Sequence, residues 1–275
     1  MTNDRSSEAD DPLLVTDAQE IARIEAENTL RQFDGAMSEL RKWIGNPRYK
    51  LRPSTILRLN RIALERLSKY AGVFRPGDIK ITGSGHLPIS SDQVPDLVEE
   101  FCDYIEKNWD GKSAIHLSAY ALWRLNWIHP FVDGNGRTAR IVSYLILCAR
   151  LGYRLPGTKT IPEQIAANKQ PYYLALEAAD AAQVRGTVDV SELEAMMDAH
   201  LAAQLVDVHN HAAGAFEKER AAIAQYPQSD IEVIKPSNSV AKIVSDGVGH
   251  VERHPVVYGF FGLLIVTVLG ALLTH

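Results

Sequence analysis

Residues 138–151 are apolar on nearly every side of a helix. Such a helix is stable only at the centre of a protein, covered all round by other elements. That stretch demands a multi-helix packing, and the sequence supplies the helices. Residues 113–128 carry Leu117, Ala121, Leu125 and Ile128 on one stripe. Residues 94–108 are amphipathic, and residues 53–70 put Ile56, Leu59, Ala63 and Leu67 on one face. Thr16 and Gln19 predict a capping box ahead of a helix over 17–43, stopped by Gly45-Asn46-Pro47. Gly152 is the expected cap of the central helix. Residues 162–182 and 191–213 read as two more helices.

One segment has a different period. Ile79-Lys80-Ile81, turn residues from Thr82 to Gly85, and His86-Leu87-Pro88-Ile89 predict a hairpin over 79–89. Pro88 confines its return strand to an edge, and a lone hairpin must lean on the helices. The expected fold class is all-α: a helical bundle with a small β-hairpin.

The two ends differ from this core. Residues 1–15 are polar and acidic, lack the basic and apolar regions of a signal peptide, and read as a disordered lead-in. Residues 256–273 are eighteen without a charge, long enough to cross a bilayer with little tilt. They predict one C-terminal transmembrane helix, with the rest of the chain on the cytoplasmic face. Pro227, Pro236, Ser237, Asn238 and Ser239 suggest a linker before it. The expected organisation is therefore a lead-in (1–15), N-terminal helices (16–70), a core (71–215), a linker (216–254) and a membrane tail (255–275). The net charge of −5 gives no basic excess, so a nucleic-acid partner is not expected. Cys102 and Cys148, far apart and in apolar stretches, read as buried free thiols.

The chemistry lies between two apolar helices, in His129-Pro130-Phe131-Val132-Asp133-Gly134-Asn135-Gly136-Arg137-Thr138-Ala139-Arg140. Pro130 disfavours continuing the first helix. Gly134 and Gly136 permit positive φ and close approach to a ligand, and successive N–H groups there can form an anion-binding nest. The next helix adds its positive end. Arg137 and Arg140, three apart, share one face. Cations at a helix N-terminus oppose the dipole unless an anion neutralises them, and a polyphosphate fits guanidinium groups. Asp133 beside them is the type of hard carboxylate that holds Mg²⁺ among phosphate oxygens. His129 has the ordinary pKa of a general base. Each piece alone has a bland explanation; together they are hard to explain as packing.

This run resembles the Fic motif, HPFx(D/E)GNGRxxR, at all nine specified positions. A looser resemblance covers residues 70–205. It implies a Fic-type helical bundle that transfers part of a nucleotide, most often AMP from ATP, to Ser, Thr or Tyr hydroxyls of proteins. Carried over, His129 is the base and Phe131 an apolar anchor. Asp133 holds Mg²⁺; Gly134, Asn135 and Gly136 cradle phosphates, with Asn135 positioning the α-phosphate. Arg137 contacts the β-phosphate side, and Arg140 holds the γ-phosphate. The hairpin over 79–89 becomes a flap that docks the target protein by strand addition.

Many Fic proteins carry an inhibitory helix, (S/T)xxxE(G/N), whose glutamate pairs with the second motif arginine. Residues 21–29 resemble it in Glu27-Asn28, although Arg23 stands where Ser or Thr is expected. The expected regulatory pair is Glu27 with Arg140. Other readings stay open: a Fic enzyme transferring UMP, phosphocholine or phosphate, or a membrane-tethered protein that only binds nucleotide. A DNA-binding regulator ranks last. A homodimer is left open.

Overall fold

The computed structural model describes residues 5–8, 14–46 and 48–224. The chain divides into two units, Met1–Ala215 and Phe216–His275. The described part of the second unit is the end of one helix. The expected membrane helix over 256–273 lies outside the described residues. No helix among the described residues is long and apolar enough to cross a membrane.

The first unit is built around α4 (Ala114–Ile128) and α5 (Asn135–Leu151). Leu117, Ala121 and Ile128 of α4 are fully buried, as are Ala139, Val142, Leu145 and Ile146 of α5. The two helices cross at a pair of small polar residues. Ser118 Oγ donates to the Ser143 carbonyl at 2.9 Å, and Ser143 Oγ donates to the Ser118 carbonyl at 2.8 Å. Ser113 caps α4 by accepting from His116 N, and Gly152 ends α5 at φ 84°.

Around this pair lie α1 (Ala18–Ile44), α2 (Pro53–Leu64), α3 (Val94–Lys107), α6 (Ile161–Ala167), α7 (Lys169–Val184) and α8 (Ser191–Ala224). The N-cap of α1 is Asp17, whose side chain accepts from Glu20 N at 2.7 Å, one residue later than the expected Thr16 box. α2 stops six residues short of the expected Tyr70. Asn28 of α1 donates to the carbonyls of Ala63 and Glu65, at 3.3 and 2.8 Å. Arg66 then turns the chain at φ 68°. The helix expected over 162–182 is two helices. Pro171 has no N–H for the Ala167 carbonyl and its ring crowds that carbonyl, so a continuous helix cannot pass. α8 extends to Ala224, into the stretch expected to be linker. Cys102 and Cys148 are free and buried, as expected.

The hairpin is also different. Lys80–Thr82 forms β2, but its partner is β1, Ser6–Glu8, from the lead-in expected to be disordered. The pairing is antiparallel, with Ser6 opposite Thr82, Ser7 opposite Ile81 and Glu8 opposite Lys80. The expected return leg is held to the helices instead. The Ile89 carbonyl accepts from the Arg75 guanidinium, and the His86 ring meets the Trp127 carbonyl at 2.8 Å. Pro88 offers no ladder donor.

Candidate active site

The motif loop ends α4 and begins α5. His129 is the last cap of α4, in the left-handed region at φ 51°, ψ 61°, with its N–H bonded to the Leu125 carbonyl. Gly134, at φ 74°, starts α5. A Cβ on Gly134 would stand 3.1 Å from Asn60 Nδ2 and 3.3 Å from Leu64 Cγ. Both the conformation and the space therefore require glycine.

α5 starts at Asn135, three residues before the expected start. The Gly-Asn-Gly-Arg run is therefore the N-terminal turn of a helix, where backbone N–H groups have no intrahelical acceptor. Anions bind such termini. A Cβ on Gly136 would stand 3.2 Å from Arg140 Nη1, so this glycine makes room for that guanidinium over the first turn.

Asn135 lines the cleft, and its side chain is bonded within the loop. Its side-chain carbonyl accepts from Phe131 N at 2.9 Å, and its amide donates to the Phe131 carbonyl at 2.8 Å. These two bonds fix the shape of the loop. Phe131 is buried beside Phe74.

His129 is 8% exposed. Its Nδ1 lies 3.3 Å from the Asn126 carbonyl and its Nε2 lies 3.0 Å from Ser7 Oγ. A carbonyl can only accept, so Nδ1 carries the proton and Nε2 presents its lone pair to the serine hydroxyl. Burial pushes the imidazole down from 6.5 to about 4.

The consequence for pH has a definite sign. The folded-state pKa lies below the ordinary value, so the neutral ring's contribution to stability is complete above about pH 6.5. It is lost as pH falls from there through about 4. An NMR titration of the His129 ring in nucleotide-free protein is expected to show a midpoint near 4. A midpoint at 6.5 or above would show a solvated imidazole.

A cleft of about 510 Å³ opens in front of this ring, within the range of small-molecule sites. It holds the candidate cations Arg137 and Arg140 and the carboxylate of Asp133. Arg137 donates to Asp133 at 3.0 Å and to Glu25 of α1 at 3.1 Å. Glu25, not Glu27, is the acid that α1 places in the cleft. Glu27 binds Arg23 and lies 3.5 Å from Arg66 on another face of the helix.

Other residues here were missed in the sequence. Lys169, Tyr172 and Tyr173 of α7 line the opposite wall. Arg75 is wholly buried in its side chain. It donates through Nε to the His129 carbonyl at 2.9 Å and through its terminal nitrogens to the carbonyls of Gly77 and Ile89. Its backbone N–H bonds Pro130 O at 2.9 Å. It thus ties the segment from Gly77 to Ile89 to the motif loop. Asn60 does the same on the far side, accepting from Gly72 N at 3.0 Å and donating to Asp133 O at 3.1 Å.

Comparison with known proteins gives a consistent family. Residues 50–147 match the model of the Fic/DOC family. A protein named protein adenylyltransferase Fic from Drosophila willistoni is 30% identical over 132 residues, covering 47% of this chain and 25% of that protein. The protein of the same name from Drosophila melanogaster is 32% identical over 134 residues, with the same coverage. The chain thus spans about a quarter of the length of the curated relatives it matches. Among solved structures, a Fic domain containing signaling protein from Bacteroides thetaiotaomicron aligns with TM-score 0.56 at 20% identity, over 70% of this chain and 73% of that one. A Fic family protein from Desulfovibrio desulfuricans aligns with TM-score 0.52 at 21% identity, over 72% of this chain and 56% of that one. At these identities the likeness is one of fold.

Proposed function

We propose that this chain, which carries a Fic/DOC family domain over residues 50–147, is a protein adenylyltransferase that moves AMP from ATP to a protein hydroxyl. The observation that carries this reading is the 3.0 Å contact of His129 Nε2 with a hydroxyl held on a strand, beside a helix N-terminus and two arginines. ATP is preferred over UTP or CDP-choline because the relatives are named adenylyltransferases.

In this mechanism the neutral His129 takes the proton as the hydroxyl oxygen attacks the α-phosphorus. The bond from that phosphorus to the bridging oxygen breaks and pyrophosphate leaves. The first-turn N–H groups of α5, with Arg137 and Arg140, hold the polyphosphate. Positioning and charge stabilisation supply most of the catalysis in such transfers.

Asp133 suits Mg²⁺. Its carboxylate is 58% exposed in the cleft. Among the described residues no group of three or more His, Cys, Asp and Glu could hold a metal. That donor set fits a cation held by one carboxylate together with phosphate oxygens and water. When bound there, the ion would supply positive charge that offsets the charge of the phosphates.

The Glu25 carboxylate competes with phosphate for Arg137. Glu25→Gly is therefore expected to raise transfer by roughly five- to a hundred-fold, the range of ordinary coupling energies. The test incubates wild type and Glu25→Gly with Mg²⁺, a lysate and ATP labelled on the α-phosphate. Protein-bound label that rises in the variant supports both the activity and the restraint. Equal label in the two would remove Glu25 from regulation. No label from ATP but transfer from another nucleotide would replace adenylylation with a different Fic chemistry.

A further inference from the structure

We infer that Ser7 is a self-modification site: β1 is a tethered substrate strand, and the cleft adenylylates the Ser7 hydroxyl of its own chain. The inference rests on the transferase reading above.

Four independent contacts seat the strand. The ladder with β2 places Ser7 opposite Ile81. The Arg5 guanidinium lies 4.2 Å from the centre of the Tyr173 ring and pairs with Glu177, both on α7. The Arg5 side chain is only 14% exposed as a result. Thr82 Oγ1 donates to Glu8 at 2.7 Å. At the centre, Ser7 Oγ meets His129 Nε2 at 3.0 Å, within the range in which a general base abstracts a proton.

Strand alternation makes the choice specific. Ser6 and Glu8 project to the opposite side from Ser7, and they are exposed where Ser7 is half-buried. Of the two adjacent serines, only Ser7 has its hydroxyl on the imidazole. The tautomer fixed by the Asn126 carbonyl leaves Nε2 as acceptor, so the serine is the donor. That is the polarity a nucleophile needs.

The reaction balances as follows. The Ser7 Oγ–H proton passes to His129 Nε2 while Oγ bonds the α-phosphorus of ATP. The bond to the bridging oxygen breaks, and pyrophosphate carries away that electron pair. The product is a serine–AMP phosphodiester. Its Oγ has no hydrogen to donate, so the contact that seats Ser7 is lost on modification. Because acceptor and base share a chain, the step is intramolecular, and effective concentration favours it over a free target.

The test uses the full chain, as wild type and as Glu25→Gly, with ATP and Mg²⁺ at several protein concentrations, each with and without a lysate. Peptide mapping by mass spectrometry reads the site. The expected result is one adenylyl group on Ser7, formed at a rate constant independent of protein concentration. Ser7→Ala is expected to lose it, whereas Ser7→Thr and Ser6→Ala keep it. An unmodified N-terminal peptide beside labelled lysate proteins would overturn the inference, make β1 an occluding strap, and leave the transferase reading standing. A rate constant that rises with protein concentration would overturn the intramolecular step. No protein-bound label on any target would overturn both readings.

Discussion

His129→Ala is expected to lower protein-bound label by about a hundred- to ten-thousand-fold, the usual contribution of a positioned general base. Nucleotide binding is expected to survive. The imidazole contacts a carbonyl of its own helix and the Ser7 hydroxyl, whereas the helix N-terminus, Arg137 and Arg140 are untouched by the change. Two measurements separate these effects: transfer of α-labelled AMP, and nucleotide affinity by calorimetry. Wild-type transfer in the variant would remove His129 from the mechanism. Lost affinity with lost transfer would mean that the loop had collapsed and that the ring's role was structural. The cap position also matters here. A left-handed residue other than glycine costs some energy wherever it occurs, and alanine gains nothing by keeping it. A modest fall in melting temperature is therefore expected alongside the kinetic loss.

Arg75→Ala is expected to be the most damaging change outside the motif. The buried guanidinium serves the carbonyls of His129, Gly77 and Ile89. Deleting it leaves the buried His129 carbonyl without its donor, at roughly 1–3 kcal/mol, while the carbonyls of exposed Gly77 and half-buried Ile89 can turn to water. A loss of about 1–3 kcal/mol is therefore expected. The motif loop and the segment from Gly77 to Ile89 lose their common tie, so the imidazole and the β1–β2 pair drift relative to each other. Misplacement of about 1 Å costs on the order of a hundred-fold in rate. Arg75→Lys keeps the charge but not the fork, and its single ammonium cannot serve carbonyls in three directions. It is expected to retain more stability than alanine and to lose most transfer. Urea denaturation and the labelling assay check both variants. Unchanged stability in Arg75→Ala would show that water replaces the guanidinium and that the tie is dispensable.

Both predictions concern the same loop, but only one of them was visible before the fold was known. The run from His129 to Arg140 is contiguous, and its residue types state their chemistry. Arg75 is a single arginine between Phe74 and Pro76, with no local sign that it is buried. Its importance comes from where the chain returns, 54 residues later. Asn28, Gln32 and Asn60 are similar cases. Each is polar and reads as surface, yet each is buried because it meets backbone groups of another element.

Glu25 and Glu27 show the limit most clearly. Both lie on a charged stretch of α1, two residues apart, and therefore about 200° apart around the helix. Which of them enters the cleft depends on how α1 is rotated against α2 and α5. That rotation is set by buried Ile24, Asn28 and Gln32, not by the glutamates. The expected partner of Arg140, Glu27, lies with Arg23 and Arg66, and it is Glu25 that contacts a motif arginine, Arg137.

The sequence by itself determined the elements whose signals are local: the apolar central helices, the Gly152 cap, and a loop that gathers a histidine, two glycines, two arginines and a carboxylate. Hydrophobic period, glycine geometry and side-chain chemistry act within a few residues, so they can be read along a chain. Only the tertiary structure decided what faces that loop. β1 has three polar residues and no apolar alternation, so nothing local marks Ser6–Glu8 as a strand. It exists because the β2 edge, the Tyr173 ring and the His129 imidazole, all distant in the chain, converge where it lies. Long-range hydrogen bonds and ring contacts create that segment's structure, and through them the Ser7 hydroxyl is brought to the His129 imidazole.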